Sequence, residues 1–159
     1  MDFETTTARC EICGRDVGRA ADVMAALASM PELLERALAA ARPAPDGWGP
    51  REVAAHLADT EVFRGWRIRR IVAEERPLID GFDEEVWAIA LSYAERNIAT
   101  SLAAFAANRR ANLELLRLAG DAGLRREYRH AQLGLLTLDD LVQHTSDHDL
   151  AHLRQLRGG

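Results

Sequence analysis

Several features are missing from this chain, and each absence narrows the possibilities. No apolar run approaches the roughly 20 residues that span a bilayer, and no signal peptide is recognisable at the start. Lysine is absent, so all 20 basic residues are arginine, and the net charge is −5. That charge gives no electrostatic reason to expect nucleic acid as a partner. We therefore expect a cytoplasmic protein with neither a membrane nor a nucleic acid as its partner.

Aromatic and β-branched residues are also scarce, whereas alanine and leucine are abundant. That composition favours helix over strand. Apolar residues at helical spacing predict four helices and no strand, over about 16–41, 50–75, 84–118 and 137–156. The sequence thus predicts an all-α four-helix bundle over residues 16–159, preceded by a short irregular leader of residues 1–15.

Local signals mark several ends of these helices. Pro50 suits the first position of the second helix, and Asp83 suits the N-cap of the third. Thr137 is typical of an N-cap, with Asp140 at the capping-box position. The stretch 119–136 contains three glycines and is interpreted as a connection.

The last predicted helix carries three of the five histidines, His144, His148 and His152, spaced four residues apart. Side chains at this spacing lie on neighbouring turns, so two imidazoles can reach one metal ion. His148 and His152 fall within or beside the inward stripe, whereas His144 lies toward its rim. His56 lies at the edge of the inward stripe of the second helix, so a bundle could bring it against His148 and His152. The alternative is hydrogen-bonded core histidines, and His130, in a loop, is a weaker candidate.

A carboxylate, Asp149, falls near the middle of the same apolar stripe, where its burial is costly unless it is paired. It is a candidate for orienting a ligand imidazole or for acting as a general base, and Asp59 is the second acid–base candidate. The alternative for Asp149 is an ion pair with Arg64 or Arg67. These two arginines are also weak candidates for binding an anionic substrate.

Cys10 and Cys13 form a CxxC pair near the N-terminus. The pair resembles half of a zinc ribbon, but a second pair of ligands is missing. Two interpretations stay open: a second metal site completed by a histidine or by another subunit, or two reduced thiols in the leader. No βαβ pattern surrounds the pair, so a thioredoxin-like redox role is not expected.

Three segments resemble motifs of the DinB/YfiT-like superfamily. Residues 48–61, WGPREVAAHLADTE, resemble its W-S-x-x-E-x-x-x-H-L-x-D-x-E stretch. Residues 130–141, HAQLGLLTLDDL, resemble its H-x-x-x-G-x-x-T-L-x-D-L approach to the last helix, and residues 148–155, HDLAHLRQ, resemble its closing H-D-x-x-H-L-x-Q. The resemblance covers about residues 20–157. One departure is the Gly-Pro pair at 49–50, where the family usually has a serine cap.

The resemblance implies a four-helix bundle, often a homodimer, with a divalent metal such as zinc or nickel held by His56, His148 and His152. It also implies a metal-dependent enzyme acting on a small molecule, either a transferase that uses a low-molecular-weight thiol or a hydrolase. The alternative is a non-catalytic metal-binding or stress-response protein in which the metal is structural. An open coordination position favours the enzyme, whereas a fourth protein ligand, such as His144, favours the structural role.

Overall fold

The computed structural model describes residues 5–9, 16–42 and 47–158. Its helices are α1 (Val23–Ala40), α2 (Pro50–Ala73), α3 (Glu84–Ala90), α4 (Ile98–Leu124) and α5 (Leu138–Arg157). Its strands are β1 (Thr5–Arg9), β2 (Asp16–Ala20), β3 (Leu78–Ile79), β4 (Glu127–His130) and β5 (Gly134–Thr137). In this described part of the chain, no helix is long and apolar enough to cross a membrane.

The four long helices, α1, α2, α4 and α5, form the bundle that the sequence predicted. α2 packs along α4, and α1 packs against both α4 and α5. Two buried apolar clusters fill the interior, one around Leu57 and Phe105 and the other around Ile71 and Leu141. Burial of each such side chain stabilises the fold by about 1.5–3 kcal/mol, so these clusters supply the main driving force for helix packing.

Capping residues fix where the helices begin. The predicted capping box of α5 is confirmed, because Asp140 Oδ2 accepts from the Thr137 amide at 2.8 Å and Thr137 Oγ1 accepts from the Asp140 amide at 3.2 Å. α2 instead begins with Pro50 at its first turn, after Gly49, which has no side chain to cap the helix. α2 and α5, whose first residues are fixed in this way, are the two helices that carry the candidate histidines.

The prediction of one continuous helix over residues 84–118 is wrong, because two helices, α3 and α4, occupy this region. Ser92 follows α3 with a φ of 51°, and a single 3₁₀ turn, Tyr93–Glu95, precedes α4. The Asn97 side chain then caps α4. The break was missed because the apolar spacing continues across it, while the left-handed conformation of Ser92 leaves no signal in that spacing.

The prediction of no strand is corrected by two small sheets. β1 pairs antiparallel with β2, and α1 begins at Val23 rather than at residue 16. In the predicted connection 119–136, α4 continues to Leu124 through the non-helical Gly120, and β4 then pairs in parallel with β3 and antiparallel with β5. Strands of two to five residues contain too few alternations to outweigh a helical composition.

α2 and α4 approach each other closely at Gly65. A Cβ atom placed on Gly65 would lie 2.5 Å from Oδ1 of Asn112 on α4. Asn112 Nδ2 donates to Glu61 Oε1 at 2.8 Å, and its Oδ1 accepts from Arg69 Nη1 at 3.1 Å. The missing side chain at Gly65 therefore makes room for a buried polar contact that joins the two helices.

Candidate metal centre

Three histidines from two helices meet at one end of the bundle interior. His56 on α2 is fully buried, and His148 and His152 on α5 are half-buried. One potential ligand atom from each of the three lies within 4.8 Å of the other two. These residues form the three-histidine cluster, which joins the two segments that the sequence singled out.

The spacing of the nitrogens fits a shared metal ion. His56 Nε2 lies 3.0 Å from His148 Nε2, so these two nitrogens can share one proton or one cation. Two imidazole nitrogens bound to one zinc ion at ~2.0–2.1 Å lie about 3.3 Å apart at the tetrahedral angle, and about 2.9 Å apart at a right angle. The chemistry and spacing of the donor set therefore fit a divalent ion.

The other ring nitrogens have partners that orient the imidazoles. His152 Nδ1 lies 2.9 Å from Gln155 Oε1, a carbonyl oxygen that can only accept, so Nδ1 carries the proton and Nε2 keeps its lone pair. His56 Nδ1 lies 3.5 Å from Thr60 Oγ1. The Nδ1 of His148 is buried without a hydrogen bond and lies 3.5 Å from Asp149 Oδ1.

The protein environment keeps two of these imidazoles neutral. Burial, together with the nearby His152 and Arg64, lowers the pKa of His56 to about 3. Burial and the charge of Arg64 also hold the pKa of His148 well below its ordinary value. Neutral imidazole is the form that binds metal, so at neutral pH few protons compete with an ion for these nitrogens.

Beneath the cluster lies a buried charge network of Glu61, Arg64, Arg109 and Asp149. Asp149 accepts from Arg64 Nη1 at 2.9 Å and from Arg109 Nη2 at 2.6 Å. Arg109 also forms a bidentate pair with Glu61, at 2.9 and 2.7 Å. Burial alone would raise the pKa of Asp149, but the charges of Arg109 and Arg64 outweigh it and hold this pKa well below its ordinary range.

The two predicted acid–base carboxylates have other contacts. Asp149 lies in the charge network, which matches the pairing alternative with Arg64, while Arg109 takes the place considered for Arg67. Asp59 forms an ion pair with Arg96 at 2.6 Å. Neither carboxylate lines the cavity beside the cluster.

That cavity has a volume of about 430 Å³ and borders His148 and His152 directly. Its wall also contains two further histidines, His130 and His144. His144 lies beside the three-histidine cluster, since its ring centre is 6.2 Å from that of His148. The remaining lining comes from three regions: Thr60, Arg64 and Arg67 of α2; Gly81, Phe82 and Glu84 around the start of α3; and Gln132, Asp147, Ala151 and Gln155 from the β4–β5 turn and α5.

Several residues that shape the site were assigned no role in it from the sequence, although two of them, Trp48 and Gln155, occupy fixed positions of the family motifs. Gln155 follows His152 by three residues, about one helical turn, which is the spacing that could have revealed it. Trp48 packs its ring 4.9 Å from that of His56, and its carbonyl accepts from Gln155 Nε2 at 3.2 Å. Arg109 could have been noticed as a charge in the middle of the apolar stripe of α4.

Cys10 and Cys13, the second predicted metal site, lie outside the described residues. The division into a leader of residues 1–15 and a bundle of residues 16–159 stays a prediction.

Comparison with known proteins agrees with this architecture. Residues 18–156 match the family model of the DinB superfamily. YfiT from Bacillus subtilis, described as a probable metal-dependent hydrolase with an unusual four-helix bundle topology, superposes with a TM-score of 0.76 at 24% identity. That match covers 86% of this chain and 84% of YfiT, and at this identity it shows the shared fold.

A protein of Oceanobacillus iheyensis, whose name marks it provisionally as a metal-dependent hydrolase, is 29% identical over 113 residues. The match covers 69% of this chain, and it spans 65% of the length of that relative. The family model extends over most of the chain, from β2 to the end of α5. The chain therefore belongs to the DinB superfamily.

Proposed function

We propose that the protein is a metal-dependent enzyme that acts on a small molecule, with a divalent ion held by His56, His148 and His152. The observation that carries this proposal is the three-histidine cluster itself, which borders a cavity of about 430 Å³. The two similar proteins are described as metal-dependent hydrolases, which agrees with this donor set.

A divalent ion bound there supplies Lewis acidity, which polarises an oxygen or sulfur atom of a bound reactant. The chain supplies the rest of the site. Gln155 and Thr60 hold the rings of His152 and His56, and Trp48 covers the two rings on one side. Imidazole nitrogen suits both zinc and nickel, so we propose one of these two metals.

We propose a positioning role for Asp149 in place of proton transfer. Its carboxylate is fully buried and bonded to two arginines, and its low pKa makes it a weak base. It lies beside His148 in sequence and 3.5 Å from its Nδ1, so it can help to orient that ring. Asp59 pairs with Arg96 and does not line the cavity, so we assign it no direct role in the proposed chemistry.

The alternative, a structural metal that only ties α2 to α5, requires a fourth protein ligand. Among the described His, Cys, Asp and Glu residues, the group that can share one ion consists of three histidines. His144 lines the cavity beside this group without belonging to it. This arrangement favours a coordination position that faces the cavity.

Metal analysis tests the site. Purified protein is reconstituted with zinc or nickel, desalted, and analysed for metal, together with His148→Ala and the control His130→Ala, which alters a cavity residue outside the cluster. We expect about one ion per chain in the wild type and the control, and loss of that ion in His148→Ala. A wild-type protein without stoichiometric metal would refute both the catalytic and the structural role, and loss of metal in His144→Ala would support the structural one.

Turnover then separates the reaction classes. The metal-loaded protein is assayed with activated esters and amides, and separately with small thiols plus an electrophile, against a chelator-treated sample. Hydrolysis without added thiol identifies a hydrolase, whereas a reaction that requires the thiol identifies a transferase. Full metal content with no turnover in either panel would count against the enzyme.

The thiol co-substrate, the homodimer and the cytoplasmic location belong to the proposal. Sedimentation of the purified protein tests the homodimer directly.

A further inference from the structure

Arg67 lies on the cavity wall, and its guanidinium makes few hydrogen bonds to the described part of the protein. Its only hydrogen bond among the described residues runs from Nη2 to the carbonyl oxygen of Asp80, at 2.6 Å. Its Nε is buried without an acceptor. Within the described ranges, no carboxylate lies within the 4.0 Å of an ion pair with Arg67. Its Nη1 also makes no hydrogen bond to the described residues but is not fully buried, and Arg67 lines the cavity, so Nη1 is a donor available to a bound molecule.

Arg64, the other arginine of the cavity wall, differs in this respect. Its Nη1 donates to Asp149 at 2.9 Å and lies 3.9 Å from Glu61 Oε2. The charge network therefore neutralises Arg64 within the protein. Arg64 and Arg67 were both predicted as candidates for anion binding, and Arg67 is the one whose guanidinium has N–H groups without an acceptor in the described residues.

The Arg67 side chain is held in place before any ligand arrives. Its guanidinium carbon lies 4.3 Å from the centre of the Phe63 ring, and the Asp80 carbonyl fixes one terminal nitrogen. Burial, with the nearby charge of Arg64, lowers its pKa to about 10, so Arg67 stays cationic at neutral pH. A fixed planar donor loses little further entropy when it binds a planar acceptor.

The other charged residues of the cavity wall do not serve as its counter-ion. Asp147 accepts from Gln143 Nε2 at 3.0 Å, and Glu84 is exposed in the first turn of α3. Neither lies within ion-pair distance of Arg67. Burial and, to a smaller extent, the charge of Arg67 lower the pKa of His130. This histidine therefore carries no charge at neutral pH.

We propose that the cavity binds a small organic anion whose carboxylate is held by Arg67, while the rest of the molecule extends toward His148 and His152. Phe82, also on the wall, offers an apolar surface for the body of that molecule. This inference rests on the proposed function, because His148 and His152, two of the three proposed metal ligands, line the same cavity. It makes Arg67 a substrate-binding residue that fixes which end of the substrate faces the metal.

Phenylacetate and its uncharged amide, phenylacetamide, are a matched pair of probes for this site. Each is titrated calorimetrically into metal-loaded wild type, Arg67→Gln, Arg67→Lys and the control Arg36→Gln, which removes an exposed arginine of α1. Metal content is measured on every sample before titration. A charge-assisted contact predicts about 10- to 100-fold tighter binding of the acid than of the amide by the wild type.

We expect Arg67→Gln to lose this preference at unchanged metal content, Arg67→Lys to keep part of it, and Arg36→Gln to keep all of it. Crystals of the wild type soaked with phenylacetate should show the carboxylate on Arg67. A preference that survives in Arg67→Gln, a carboxylate found on the metal, or no saturable binding of phenylacetate to the wild type would overturn the inference. Because metal content is measured separately, failure of the anion site and failure of the metal site are distinguishable. Should Arg67→Gln not fold, the crystal structure decides alone.

Discussion

The charge network beneath the cluster makes a sharp prediction about stability. Replacing Asp149 with asparagine keeps its shape but removes one of two negative charges that balance Arg64 and Arg109. The Asp149 and Arg64 side chains are 0% and 3% exposed, so little water is available to screen the unbalanced charge. Removing one partner of a buried pair costs about 3–5 kcal/mol, and we expect Asp149→Asn to lose that much free energy of unfolding.

The measurement is urea unfolding of metal-free protein in the presence of a chelator, so that a loss of metal does not contribute. In a thermal unfolding experiment on the same sample, this loss corresponds to a fall in Tm of about 6–20 °C, at roughly 2–4 °C per kcal/mol. Asp59→Asn is the matched control, because its ion pair with Arg96 is partly exposed, at 18% and 31%. Water partly screens this pair, so its loss should cost about 1 kcal/mol, and Asp59→Asn should lose much less stability than Asp149→Asn.

A double variant separates charge balance from packing. Adding Arg64→Met to Asp149→Asn restores a neutral network, in which Arg109 keeps its bidentate pair with Glu61. We expect the double variant to lose less stability than the sum of the two single losses, by about 1–3 kcal/mol. Additive losses would refute the electrostatic explanation, and so would an Asp149→Asn variant as stable as the Asp59→Asn control.

Three further predictions concern single positions. Gly65→Ala should lower the free energy of unfolding by about 1–2 kcal/mol despite the better helix propensity of alanine, because its Cβ would displace Asn112, and the same substitution should cost less in an Asn112→Ala background, measured by the same urea assay. Gln155→Leu should weaken zinc binding about 10- to 100-fold in a chelator competition with little change in Tm of the metal-free protein, because Gln155 is exposed and the variant loses only its contacts with the His152 ring and the Trp48 carbonyl. Burial raises the pKa of Tyr128 to about 12, so the folded state keeps this proton while the unfolded state releases it near pH 10. Stability should therefore fall as pH rises, by about 1.4 kcal/mol at pH 11, and Tyr128→Phe should show a smaller fall in unfolding experiments between pH 9 and 11.

The sequence predicted those parts of the site that depend on local spacing. His148 and His152 are four positions apart, and any α-helix places residues at that spacing on neighbouring turns. The Thr137 cap was also predictable, because a capping box involves only residues within one turn. The inward stripes of the two helices allowed His56 to meet the pair on α5, and the resemblance to the DinB/YfiT-like motifs selected these three histidines.

Other features depend on contacts between distant segments and left only weak local signals. Arg109 and Glu61 are 48 positions apart in the chain, so their pairing follows from the packing of α4 on α2. Asparagine at position 97 is a known capping residue, but the break before α4 also required the left-handed Ser92. The three strands β3, β4 and β5 are short, and pairing between them, rather than their composition, defines them.

The charge network also explains how a site divided between two helices keeps its geometry. His56 and Arg64 lie eight residues apart on α2, about two turns, and His148 and Asp149 are adjacent on α5. The 2.9 Å contact between Arg64 and Asp149 therefore fixes α2 against α5 close to the place where His56 meets His148. A shift of one helix along the other would leave buried charges unpaired, which costs several kcal/mol. An apolar interface would tolerate small shifts more easily. The Nε2 atoms of His56 and His148, which lie 3.0 Å apart, can share one ion only if the two helices stay aligned. The buried ion pair between Arg64 and Asp149 supplies that alignment.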